Sequence, residues 1–406
     1  MIRCLSYTMK LVKTVVLIVV VLLPLLSASC LSGSSSVARG WAGTTVKDGI
    51  VCAGTGTGVV VAVNSSDRGI EWSLPLTVTA SSGGLSCGPT TTATALYATP
   101  VIDGDMVYVA TYSGQVLALS MTARNLTPTF PQQRYGEWEW DAPLDGGQSN
   151  AIVGDLLVTE DSIYVADSNG RIYSLDKEFG DQNWESGILD QTYRKLWTSP
   201  VIQGDSLYIA AFDGRVYSLS AQTGEALNWT FQSSVGFASS PALYLDTIFV
   251  GSFDRHLYAV KIGAGEPAWV FPQEKPADKW FWASPVIRDG IVYVGCLDGK
   301  VYAVNSTTGT EVWEFDTGNP VVVSPVLTSN FLIVTDDAGV VYVFDLNAQT
   351  GGQGIASGRI SLGVPVNSSF CAQDGLAYIR GEDDVLYIVD VGAGQVSSQI
   401  ALTSQE

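Results

Sequence analysis

The sequence predicts an all-β protein, an eight-bladed β-propeller of four-stranded antiparallel blades. Three observations predict it. Short runs alternate β-branched or aromatic residues with small or polar ones, the period-2 signature of half-buried strands. Asp-Gly and Thr-Gly pairs, which suit tight turns, separate the runs. The whole pattern then returns eight times along the 406 residues.

The unit is clearest in "VYVGCLDGKVYAVNSTTGTEVWEF", residues 292–315. "VYVGC" and "KVYAVN" read as two strands of a hairpin around Asp298-Gly299, a pair that suits a two-residue turn with φ > 0 at both positions. "EVWEF" is a further strand after Thr308-Gly309, and "ASPVIRDG" upstream supplies one more before the turn at Asp289-Gly290. The second strand starts again at Ile50, Val107, Ile163, Leu207, Ile248, Val292, Leu332 and Ala377, in steps of 57, 56, 44, 41, 44, 40 and 45 residues. The last five steps fit a four-stranded blade; the first two carry extra loop. Sheets that cannot bury both faces alone pack radially around a channel.

Residues 1–29 lie outside the repeat. "MKLVK" from Met9, the apolar run Thr14–Leu26 and the small residues of "SAS" before Cys30 read as a signal peptide. The apolar run is short for a spanning helix, which needs roughly 20 residues. Cys30 resembles the lipidated cysteine of bacterial lipoproteins, with Ser27 where an aliphatic residue is usual; ordinary signal-peptidase cleavage nearby is the alternative. Residues 30–39 then form a tether, and 40–406 the propeller.

The net charge is −19, and removal of residues 1–29 takes Arg3, Lys10 and Lys13 but no acid, leaving −22. Such a chain repels phosphate backbones, so nucleic acid is not an expected partner. After export Cys52, Cys87, Cys296 and Cys371 remain beside Cys30. Cys52–Cys87, Cys52–Cys371 and four free buried thiols are the open possibilities. No CxxC occurs, so a thiolate metal or redox motif has no support.

Ala303, Asn305, Thr308, Gly309 and Trp313 spell A-x-N-x-x-T-G-x-x-x-W. This resembles the tryptophan-docking motif of the PQQ-type β-propellers. Partial copies place Trp72, Trp184 and Trp269 at the matching position and Trp229 one residue late, while copies two, seven and eight lack the residue. The motif makes physical sense: the Trp sits on the outermost strand and buries a large area against the neighbouring blade. The resemblance covers about residues 40–402. It implies a propeller but not a function, since such folds host many. One branch, the quinoprotein dehydrogenases, holds pyrroloquinoline quinone and Ca²⁺ over the channel and typically carries an adjacent Cys-Cys pair, which this chain lacks. Neither cofactor is therefore expected. The other branch resembles BamB-like lipoproteins, which scaffold outer-membrane protein assembly.

Candidates for chemistry are few. His256 is the one histidine and falls in a turn, so a histidine metal cluster is excluded. Asp336-Asp337 and Glu382-Asp383-Asp384 lie on hairpin turns, where Asp serves the backbone. No metal site and no phosphate loop is expected. What breaks the repeat is aromatic. Tyr135–Gly147 contains Trp138 and Trp140, and Lys275–Pro285 contains Trp280 and Trp282. Tyr97, Trp197 and Phe237 precede the Ser/Thr-Pro that opens other blades. These residues are expected to ring the channel mouth and contact a ligand or partner; the alternative is that they plug it.

The reading is a non-catalytic binding or scaffold propeller of the cell envelope, exported, anchored to a membrane through a lipid on Cys30, with an envelope protein or complex as partner. A quinoprotein dehydrogenase and a carbohydrate-binding or sensor propeller are the alternatives.

Overall fold

The computed structural model describes residues 39–403 apart from 81–89, 122–136, 144–149, 188, 190–194, 238, 265 and 348–353. The signal peptide, Cys30, nearly all of the tether and Cys87 lie outside the described residues.

Eight four-stranded antiparallel sheets follow one another, and no helix occurs among the described residues. Blade 6 is typical, with strands Val286–Arg288, Ile291–Gly295, Lys300–Asn305 and Glu311–Asp316. The blades span residues 44–75, 101–141, 157–185, 201–232, 242–271, 286–316, 326–361 and 371–401. First strands of neighbouring blades touch one another from blade 5 through blade 8 to blades 1 and 2, so they line the channel. A two-stranded hairpin, Thr77–Ala80 with Thr90–Ala93, accounts for the extra loop after blade 1.

The two middle strands are buried nearly throughout, because sheets cover both of their faces. Alternate residues feed opposite neighbours. The core is accordingly eight apolar wedges, one at each blade interface, including one between blades 8 and 1. This parity also decides the cysteines. Cys52 faces the wedge toward blade 2, while Cys371 packs on the wedge between blades 8 and 1. The sheet of blade 1 separates them; Cys52, Cys296 and Cys371 are free thiols, and burial pushes Cys52 and Cys371 up to about 12.

The Asp-Gly pairs serve two different turns. Asp48-Gly49, Asp289-Gly290 and Asp374-Gly375 have φ > 0 at both residues, as a two-residue turn requires. Asp298-Gly299 does not: only Gly299 is left-handed, and Cys296 and Lys300 close a three-residue loop. In this second type the Asp has further work. Asp298 Oδ2 accepts the Tyr302 hydroxyl at 2.9 Å, and Asp254–Tyr258, Asp336–Tyr342 and Asp383–Tyr387 repeat the bond. The dense acidic runs are thus tied into turn structure. His256 also sits in such a turn, its Nδ1 3.3 Å from Asp254 Oδ1.

Among the described residues no strand crosses from one end of the chain to the other. Blade 1 is made wholly from the first strands and blade 8 wholly from the last. The seam is held instead by buried polar contacts. Arg380 pairs with Asp384 at 2.7 Å and donates to the Ala42 carbonyl of blade 1; Asp384 accepts the Gly56 amide at 2.8 Å. Thr44 donates its hydroxyl to the Tyr378 carbonyl at 2.6 Å. The Arg380 and Asp384 side chains are 2% and 9% exposed, so losing one leaves the other charge stranded in the core. Arg380→Ala is expected to cost about 3–5 kcal/mol, read as a lowered denaturant midpoint. A cost under about 1 kcal/mol would mean that the seam does not rely on this pair.

Candidate functional site

Tryptophans on outermost strands join neighbouring blades. The indole N–H of Trp72 donates to the Met121 carbonyl, Trp184 to Ala221, Trp229 to Ala264 and Trp269 to Ser306, each in the next blade. Trp313 stacks on Phe344 of blade 7 at 5.3 Å. Beneath the indoles of Trp184, Trp269 and Trp313 lies a glycine of the next blade's turn. A Cβ on Gly309 would come within 2.6 Å of the Trp269 ring, and one on Gly224 within 2.3 Å of Trp184. The motif glycine is therefore fixed by the preceding blade's tryptophan as well as by its own φ near +70°.

Two residues expected at the channel mouth belong to this set instead. Trp138 lies on the outermost strand of blade 2, Trp138–Asp141, with its indole N–H on the Lys177 carbonyl at 3.0 Å and its ring over Gly180. Blade 2 thus has a docking tryptophan after all, displaced in sequence by the long connection that follows Ser120. Trp140 is on the same strand, partly buried, 5.0 Å from the Tyr173 ring of blade 3. Neither is at the mouth. Phe237 is not on the channel either: it is fully buried between blades 4 and 5 against Phe231 and Tyr258.

Trp197, Trp280 and Trp282 are at the mouth. Trp197 and Trp282 line a cavity of about 260 Å³, together with Trp41, Tyr97, Asp155 and Asn367. Trp280 stands just outside, 44% exposed, its ring 5.2 Å from Phe253. Phe212 bridges Trp197 at 5.1 Å and Phe253 at 5.2 Å, so an aromatic arc runs over blades 4, 5 and 6. A second arc, Trp41–Tyr97–Tyr112, covers blades 1 and 2 with ring distances of 4.2 and 4.9 Å. The sequence signal for Phe212, Phe253 and Tyr112 was present: each stands two residues beyond the end of a second strand, where other blades carry Ser168, Leu297, Asp337 or Glu382. Trp41 stands three residues before Thr44, as Trp197 does before Pro200.

Below the arcs runs a belt that sets the channel's diameter. The amide of Ser199 donates to Ser240 Oγ at 2.8 Å, Ser240 to Ser284 at 3.0 Å and Ser284 to Ser324 at 2.9 Å. Asp155 takes the serine position in blade 3. Its Oδ1 accepts the Thr99 amide at 2.6 Å, and its own amide donates to Ser199 Oγ. Burial pushes the Asp155 carboxyl above the usual carboxylate range, with the Thr99 amide acting against it.

The mouth does not fit pyrroloquinoline quinone with Ca²⁺. It offers one carboxylate and one amide side chain, and among the described residues no three His, Cys, Asp or Glu side chains group so as to hold a metal ion.

A family model described as outer membrane protein assembly factor BamB matches residues 28–271 and 269–406. Two curated proteins of that description are similar. That of Legionella pneumophila is 28% identical over 22% of this chain and 19% of its own length; that of Kangiella koreensis is 26% identical over 39% and 34%. The matched stretches thus span about a fifth and a third of those relatives. Among solved structures, BamB from Moraxella catarrhalis superposes with a TM-score of 0.63 at 18% identity, covering 85% of this chain and 95% of that one. A quinohemoprotein alcohol dehydrogenase from Pseudomonas putida gives 0.59 at 14%, covering 87% and 70%. At these identities the superpositions show the fold alone.

The division between docking and mouth tryptophans has a measurable consequence. Trp138→Ala removes a buried indole over Gly180 and is expected to cost about 3–5 kcal/mol in unfolding free energy. Trp280→Ala, at an exposed position, is expected to stay within about 0.5 kcal/mol. Equal costs would contradict the division.

Proposed function

Because the chain belongs to the outer membrane protein assembly factor BamB family, we propose that it is a non-catalytic scaffold of the cell envelope that engages other components of outer-membrane protein assembly. In this reading residues 1–29 export the protein, a lipid on Cys30 anchors it, and residues 30–39 hold the propeller off the membrane. Its contact surface is the aromatic channel mouth.

One observation carries the choice of surface. Trp41, Tyr112 and Trp280 gather at the same end of the channel and are 39%, 45% and 44% exposed. They are not needed to dock blades, as the outer tryptophans are. Large aromatic rings left at a rigid surface bury area at low entropy cost when a partner arrives. The blade frame beneath them is fixed by the serine belt and the tryptophan contacts, so the rings are presented without reordering the backbone.

The test is capture of detergent-solubilised assembly components by residues 31–406. Replacing Trp41, Tyr112, Trp280 and Trp282 together by Ala is expected to weaken capture at least about tenfold while the protein stays folded by circular dichroism. Capture unchanged in that variant would remove the mouth from the account.

A further inference from the structure

The mouth cavity holds a carboxyl group that has no basic partner among the described residues. Among the described residues lining it, Asp155 is the one with a charged side chain. Its Oδ1 is held by the Thr99 amide, and no lysine, arginine or histidine is paired with it among the described residues. Serine does the same latching work in blades 4 to 7, so a carboxylate is not required there for structure. A desolvated carboxylate without a counter-charge is costly. The rings of Trp41, Tyr97, Trp197 and Trp282 line the same cavity. Aromatic faces attract cations, tryptophan most strongly. One of these rings already shows the affinity: the Lys195 ammonium lies 5.0 Å from the Trp197 centroid.

We infer that the mouth cavity binds an organic ammonium group, caged by Trp41, Tyr97, Trp197 and Trp282 with Asp155 as its counter-ion. The volume of about 260 Å³ admits a small alkylammonium or the end of a lysine side chain. A neutral sugar could stack on the same rings, but it would leave the carboxylate uncompensated. The inference rests on the reading of the mouth as a contact surface and names the chemistry recognised there.

The experiment is isothermal titration of residues 31–406 with tetramethylammonium, n-butylammonium and N-acetyl-lysine methylamide, with glucose as a neutral control. Saturable binding of the ammonium compounds with Kd on the order of 1 mM is expected, and none of glucose. Asp155→Ser restores the residue the neighbouring blades use and keeps the latch, so the variant folds; Asp155→Asn keeps the shape without the charge. Both should weaken ammonium binding about tenfold or more. Lys195→Met should leave it equal or tighter, because an internal competitor is gone. No binding, binding indifferent to Asp155, or equal binding of glucose overturns the inference.

Capture of assembly components in the presence of 50-fold Kd tetramethylammonium separates the sources. Competition assigns the cation to a partner's side chain, and its absence assigns it to a free small amine. Partner capture that survives while ammonium binding is absent overturns this inference alone. The reverse outcome overturns the docking reading alone.

Discussion

The seam between blade 8 and blade 1 holds the ring closed, and among the described residues no strand crosses it. In a ring of sheets every other interface is backed by chain continuity, because a blade cannot leave without pulling its neighbour. At the seam only non-covalent contacts remain. The buried Arg380–Asp384 pair, reaching the backbone at Ala42 and Gly56, occupies that place. It does so where the repeated device is missing, for Trp313 of blade 6 is the last of the docking tryptophans. The remaining wedge is aliphatic and aromatic, with Val51, Val61, Tyr378 and Leu386 at its centre.

The rest of the architecture divides labour between the two ends of each blade. At the outer strand, an indole on a glycine turn fixes the angle between blades. At the inner strand, a hydroxyl on a backbone amide fixes their spacing. Both contacts repeat, and repetition leaves the positions above the belt unconstrained. There blades 1, 2, 4 and 6 carry Trp41, Tyr97, Trp197 and Trp282, while blade 8 carries Asn367. Variation at a structurally silent position is where a specific surface can be written. Asp155 is the exception within the belt, because it does the structural work of a serine and adds a carboxyl group.

Most of the fold was legible, since strand period, turn residues and repeat length all pointed to one answer. The site was legible only in part, for reasons of register. Trp282 and Trp197 stand three residues before the blade-opening proline and face the channel; Phe237 stands four before Pro241 and faces the core. A one-residue shift reverses the side of an extended chain. Trp138 was obscured because the connection before it is longer than the motif allows, so spacing could not join it to the repeat. The Asp-Gly pairs were recognisable as turns, but the dipeptide does not say which turn. Only the Tyr four or six residues after the Asp distinguishes the three-residue loop. Nothing local in the sequence revealed that Asp155 replaces a serine, because "GDLLV" lacks the proline that marks the other openings.

The central claim is that the propeller acts through its aromatic channel mouth and not through its outer rim. Position 280 at the mouth and position 312 on the outermost strand of blade 6 are similarly exposed, at 44% and 46%. A photo-crosslinking amino acid at each, in otherwise unaltered protein in cells, tests the claim directly. Crosslinks to an outer-membrane assembly component from position 280 and not from 312 are predicted. Crosslinks from position 312 alone would contradict it.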